Sequence, residues 1–190
     1  MLTPNKGLVC WFTGLPCSGK TTLSRILKNE LIGMGLPVIH LDGDALRQEI
    51  SSDLGFSKKD RLIHIRRVSL MARTLAEREN IVLVSLVSPY RQARDRARQK
   101  IGFFVEIYLR CPVQVCEERD VKGMYQLARQ GKIENFTGVS DPYEAPLNAE
   151  ISIDTSKTNI QDSVDKIIGY LSTHGFSRRA SHSTNGVGKF

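Results

Sequence analysis

Short apolar runs that alternate with amphipathic helical stretches predict an α/β fold. The expected architecture is a parallel sheet of about five strands with helices on both faces, a three-layer arrangement. Three observations carry this. The run Ile81–Val87 is apolar almost throughout, as a strand buried on both faces must be. Each strand-like run is followed by a segment with helical spacing. A glycine-rich segment also joins the first strand directly to the first helix.

The elements follow in order. Leu8–Thr13, with Val9, Trp11 and Phe12, reads as a buried strand. Lys20–Met34 places Leu23, Ile26, Leu27, Leu31 and Met34 on one helical face, and Gly33 and Gly35 punctuate its end. Pro37–Leu41 is a second strand and Asp60–Glu79 a long Arg-rich amphipathic helix. The strand Ile81–Val87 leads to a charged helix, Tyr90–Lys100. Phe103–Leu109 and Val113–Arg119 form the next strand and helix. Ile151–Asp154 is a short last strand, and Asn159–Thr173 a closing helix that buries Val164, Ile167, Ile168 and Leu171. Between them, Asp120–Asn148 is irregular around one short helix at Met124–Gln130, and an irregular segment of that length reads as a lid. The expected organisation is one domain over residues 1–174, with the lid at about 120–148 and a disordered Ser/Gly/Arg-rich tail at 175–190.

The 190 residues, 41% hydrophobic and 25% charged, exclude collagen-like and wholly disordered classes. No apolar run approaches the ~18 residues of a membrane span. Met1–Lys6 lacks the features of a signal peptide, so the expectation is a cytoplasmic protein without membrane association. Lys+Arg at 27 against Asp+Glu at 20 gives a net charge of +7, which favours an anionic partner. Part of the excess lies in the tail at Arg178, Arg179 and Lys189. No Lys/Arg block with interleaved aromatics is present, so a small anion is expected rather than nucleic acid. Cys10, Cys17, Cys111 and Cys116 form no CxxC pair; Cys10 and Cys116 are expected to be buried thiols.

Gly14-Leu15-Pro16-Cys17-Ser18-Gly19-Lys20-Thr21 fits G-x-x-x-x-G-K-[ST] in full, with Thr22 next. Its glycines let the backbone curl so that N–H groups face phosphate oxygens at a helix N-terminus. Lys20 would reach the β- and γ-phosphates of a nucleoside triphosphate, and the Thr21 hydroxyl would ligate Mg²⁺. The second strand ends in His40-Leu41-Asp42-Gly43-Asp44, in the layer where open α/β sheets bind ligands. Asp44 is the candidate base for an acceptor hydroxyl and, with Thr21, a candidate magnesium ligand; Asp42 backs the metal. The structural alternative makes one of the two acids the cap of a helix through Ala45–Ile50. Arg47, Arg61, Arg66 and Arg67 follow, and spacing alone does not choose among them. Ser88 lies beyond the third strand in the same layer; Arg94, Arg96, Arg98 and Lys100 read as a solvated helix face.

The phosphate loop, Leu41-Asp-Gly-Asp44 with Arg47, Asp53-Leu-Gly-Phe56-Ser57, Asp60-Arg61 and Ile65-Arg66-Arg67 together resemble the adenylylsulfate kinases. So do Ser88-Pro-Tyr-Arg91, Cys116-Glu-Glu-Arg119-Asp120, Lys122-Gly-Met-Tyr125, Asn135-Phe-Thr-Gly138 and Asp141-Pro-Tyr-Glu-Ala-Pro146. The match spans about Gly7 to Thr155. It implies a nucleotide-kinase-like fold, commonly a homodimer, that uses Mg-ATP to phosphorylate the ribose 3′-hydroxyl of adenosine 5′-phosphosulfate. A functional link to an ATP sulfurylase goes with it. By position, Phe56 and Phe136 would sandwich the substrate adenine, and Arg47 and Arg61 would hold the phosphosulfate. Lys122 and Arg119 would belong to the lid, with Arg119 near the ATP base. The acceptor side would also take in Asp42, Asp44, His64, Val87 and Ser88. The family assigns a phosphoserine to the position of Ser88; substrate positioning is the plainer role, since in-line transfer with Asp44 as base needs no covalent step. The sequence departs from the family pattern at His64, where Asn is usual, at Val121, where Pro is usual, and at Pro16-Cys17, where Ser-Gly is commoner. His64 is the feature that would favour a kinase of the same build acting on another anionic, nucleotide-like hydroxyl compound.

Overall fold

A computed structural model describes residues 7–174; the expected tail at 175–190 and the first six residues lie outside the described residues. Five parallel strands, β1 (Leu8–Thr13), β2 (Val38–Asp42), β3 (Ile81–Ser85), β4 (Phe104–Arg110) and β5 (Ile151–Asp154), form one sheet in the order β2-β3-β1-β4-β5. The helices are α1 (Lys20–Gly33), α2 (Gly43–Ile50), α3 (Lys58–Ala76), α4 (Arg91–Ile101), α5 (Val113–Arg119), α6 (Met124–Arg129) and α7 (Ile160–Thr173).

Consecutive residues of a strand serve opposite faces, which is why β1 is buried along its whole length. Leu8, Cys10 and Phe12 pack with Leu23, Leu27 and Leu31 of α1 and with Val164, Ile167 and Leu171 of α7. Val9 and Trp11 pack against Ile65, Val68 and Ala72 of α3 and Ala93 and Ala97 of α4. A third, smaller cluster joins Cys111, Cys116, Tyr125, Ala128 and Phe136 under the lid. Cys10 and Cys116 are buried as expected.

The helix through Ala45–Ile50 is present and starts earlier, at Gly43. Asp42 is its cap, its carboxylate accepting the Asp44 N–H at 3.1 Å. β3 is two residues shorter than the apolar run suggested. Leu86 and Val87 are apolar yet leave the sheet, carrying the chain to Ser88 in the left-handed region at φ 39.

Arg94 corrects the reading of α4 as a solvated face. It is 2% exposed, and its guanidinium donates to Glu106 at 2.7 Å, to the Ser88 carbonyl and to the Glu144 carbonyl, both at 2.6 Å. The flanking Ala93 and Ala97 are buried on the same face, the one signal in the sequence that Arg94 points inward. One buried cation thus ties together β4, the loop after β3 and the segment that returns from the lid. Arg94→Met leaves Glu106 with Arg98 at 3.4 Å as its remaining ion-pair partner. The expected loss is about 3 kcal/mol, or a fall in Tm of roughly 6–12 °C, read by urea and thermal unfolding.

Candidate active site

The site forms where β1, β2 and β3 end. The chain leaves β1 for the far strand β2, then crosses back past β1 from β3 to β4, so a crevice opens at the end of β1. Gly14 begins the phosphate loop at φ 152, and a Cβ there would stand 2.6 Å from the Leu109 carbonyl oxygen of β4. Only glycine lets the loop pass so close to its neighbour strand. Cys17 also has a left-handed backbone, φ 59, which costs a non-glycine residue about 1 kcal/mol. α1 starts from Gly19 with no side-chain cap and no acid in its first turn, leaving its N-terminal field available to an anion. Lys20 is buried. Its ammonium donates to the carbonyls of Gly14 at 3.0 Å and Leu15 at 2.6 Å, and burial pushes its pKa down to about 8.

Thr21 and Asp42 meet across the crevice. The Thr21 hydroxyl donates to Asp42 Oδ2 at 3.0 Å, so Asp42 both caps α2 and touches the loop. Asp44 is exposed in the first turn of α2 and pairs with Lys122, which comes from the lid. Among the described residues no group of three or more His, Cys, Asp or Glu side chains is arranged to hold a metal. A hydroxyl beside a carboxylate suits a magnesium ion that takes its remaining ligands from water and phosphate oxygens.

On the acceptor side Phe56 is 53% exposed, with the Arg47 and Arg61 guanidinium carbons 4.8 and 5.6 Å from its ring centre. Phe136 is 8% exposed and lies edge-on to Tyr125, ring centres 4.9 Å apart. Arg61 bridges the two segments, donating to the Phe56 carbonyl at 3.0 Å and the Asn135 carbonyl at 2.6 Å. Arg119 reaches the back of the phosphate loop, donating to the Thr155 carbonyl at 2.7 Å and the Cys17 carbonyl at 3.4 Å. The Thr155 hydroxyl donates to the Ser18 carbonyl at 3.0 Å, a contact that no motif announced.

His64 and Ser88 turn inward. His64 is buried, its Nδ1 2.9 Å from the Ser51 hydroxyl. Desolvation and the cations Arg47, Arg67 and Arg61 push its pKa down to about 4, so the imidazole is neutral. Ser88 is 3% exposed. The Trp11 indole donates to its hydroxyl at 3.0 Å, the hydroxyl donates to Thr13 at 3.2 Å, and Thr13 donates to the Val87 carbonyl at 2.8 Å. The Ser88 hydroxyl is thus engaged from within, as acceptor and as donor.

A phosphate loop at the end of the central strand, an acid pair across from its threonine and a basic lid define a P-loop phosphotransferase. The comparisons narrow the class. Residues 6–154 match the family model of adenylylsulphate kinase. The chain is 48% identical over 171 residues to the adenylyl-sulfate kinase of Halothermothrix orenii, covering 90% of this chain and 92% of that one. The APS kinase of Mycobacterium tuberculosis, solved in complex with AMPPNP and APS, superposes with a TM-score of 0.86 at 38% identity, covering 89% and 99% of the two chains. A hexameric APS kinase from Thiobacillus denitrificans superposes at 0.71 and 31% identity, covering 93% of this chain and 31% of that one. The chain belongs to the adenylylsulfate kinase family.

Proposed function

We propose a division of labour among these residues for the family's reaction, the transfer of the ATP γ-phosphoryl group to the 3′-hydroxyl of adenosine 5′-phosphosulfate. The phosphate loop, Gly14 to Thr22, cradles the donor phosphates, and Lys20 exchanges its carbonyl partners for β- and γ-phosphate oxygens. Asp44 accepts the 3′-hydroxyl proton as the O3′–P bond forms and the bond from γ-phosphorus to the bridging oxygen breaks. Arg47 and Arg61 hold the phosphosulfate, Phe56 and Phe136 the adenine, and Arg119 the donor base. Thr21, with Asp42 and Asp44 beside it, would hold magnesium, which when bound neutralises phosphate charge. Lys122 leaves Asp44 as the lid, residues 120–148, closes. Ser88 and Val87 position the floor, and His64 supports α3 against Ser51 from within. The working unit is one kinase domain over residues 1–174, a cytoplasmic homodimer fed by an ATP sulfurylase. The observation that carries this reading is the Thr21–Asp42 hydrogen bond, which joins the donor loop to the strand end bearing the candidate base.

Incubating the protein with Mg-ATP, with and without adenosine 5′-phosphosulfate, tests it. ADP release is expected only with the acceptor present, and the acceptor is expected to gain the mass of one phosphate. Faster turnover of another nucleotide would move the assignment to the same-fold alternative and implicate His64.

A further inference from the structure

Two motif residues have no part in that scheme, Tyr90 after the third strand and Asp141 at the lid's return. The structure brings them together. Tyr90 is 3% exposed, and its hydroxyl lies 2.8 Å from both carboxylate oxygens of Asp141. Asp141 in turn stands 3.8 Å from the Arg61 Nε, the two side chains 13% and 11% exposed. Among the described residues it is the carboxylate within ion-pair distance of Arg61.

The distances matter. At 3.8 Å, Asp141 is near enough to attract the guanidinium and too far to occupy one of its donors. Arg61 therefore gives Nε to Phe56 and one Nη2 hydrogen to Asn135, and keeps its remaining N–H groups for an oxyanion. Those two carbonyls belong to Phe56 itself and to the residue before Phe136, so the pose of Arg61 also sets the spacing of the two rings. The counter-charge is itself fixed. Asp141 is pinned through its main chain, its N–H donating to the Phe136 carbonyl at 3.1 Å and its carbonyl accepting from Gly138 at 2.8 Å. Tyr90 is anchored beside the first turn of α4, with the Lys58 ammonium 5.0 Å from its ring centre.

We infer that Tyr90 and Asp141 are positioning residues for the acceptor, holding Arg61 between the Phe56 and Phe136 segments in the pose that receives the phosphosulfate. This rests on the assignment of Arg61 to the acceptor. The side chains of Tyr90 and Asp141 meet each other and Arg61 rather than the phosphate loop, so the donor side should not register their loss.

The test is steady-state kinetics on the full chain carrying Asp141→Asn, Tyr90→Phe, Arg61→Lys and each of the first two combined with Arg61→Lys. Asp141→Asn and Tyr90→Phe are each expected to raise KM for adenosine 5′-phosphosulfate about tenfold. KM for ATP and kcat at saturating acceptor should stay within about twofold. In the Arg61→Lys background either change should add little, because the group being positioned is already lost. A purely structural role would instead raise both KM values and lower the melting temperature. Tyr90→Phe keeps the packed ring and removes only the hydroxyl, so it answers even if Asp141→Asn folds poorly. Full additivity with Arg61→Lys, or an unchanged acceptor KM, would overturn the inference. A wild-type protein that binds ATP but does not turn over the acceptor would overturn the acceptor assignment, and the positioning role with it.

Discussion

Replacing Lys20 by alanine is expected to lower kcat/KM by at least ~10³-fold. The reason lies in where the ammonium sits. It is buried and held by two loop carbonyls, so in the free protein it is desolvated and only partly compensated. Arriving phosphate oxygens supply the missing charge and draw more on Lys20 as negative charge shifts during transfer. A second consequence concerns protons. Burial pushes the Lys20 pKa down to about 8, and phosphate oxygens must raise it again. Nucleotide binding above pH 8 should therefore take up a proton, read by calorimetry in buffers of different ionisation enthalpy, and Lys20→Ala should abolish that uptake. The linkage to stability has the matching sign. An unfolded lysine titrates near ~10.4, so between about pH 8 and that value the unfolded chain binds more protons and stability rises with pH. Proton uptake on binding that persists in Lys20→Ala would mean that another group carries the effect.

What could be read in the sequence was what is contiguous along the chain. The phosphate loop is a single run of residues whose conformation follows from glycine and from the strand and helix that flank it. β1 and β3 were legible because their apolar runs are nearly pure, and the mixed runs of β2, β4 and β5 from the helices that separate them. Side-chain direction was not legible. Arg94, Arg96, Arg98 and Lys100 look alike in a charged helix, yet Arg94 is buried because Glu106, forty-four residues from Glu150 and twelve from Arg94, meets it across the layer. Ser88 lies at the expected height, but its hydroxyl is drawn inward by Trp11, whose indole needs an acceptor inside the sheet. His64 turned to Ser51 for the same kind of reason, a buried polar group requiring a partner. Asp42 shows that the structural reading does not exclude the other: one carboxylate oxygen caps α2 while the second meets Thr21 of the phosphate loop.

That double use of Asp42 sharpens the second large effect, expected at Asp44. Asp44→Asn should reduce kcat by about 10²–10⁴-fold, while ATP binding stays within about threefold. Asparagine keeps the size and polarity of the side chain and loses its charge, and with it the ability to take a proton and to pair with Lys122. Because Asp44 is exposed and the cap of α2 is Asp42, the helix does not depend on it, and its loss should bear on turnover far more than on nucleotide binding. Asp42→Asn makes the contrast. Asparagine caps a helix as well as aspartate does, so α2 should stand, but the weaker acceptor opposite Thr21 should raise KM for Mg-ATP as well as lower kcat. Nucleotide titration and single-turnover rates on the two variants separate the roles. If Asp44→Asn turned over within tenfold of the wild type, general-base catalysis would be a small part of the barrier. The rate would then rest on placing the hydroxyl in line with the γ-phosphorus, and Asp42 and Arg61 would matter more to it than Asp44.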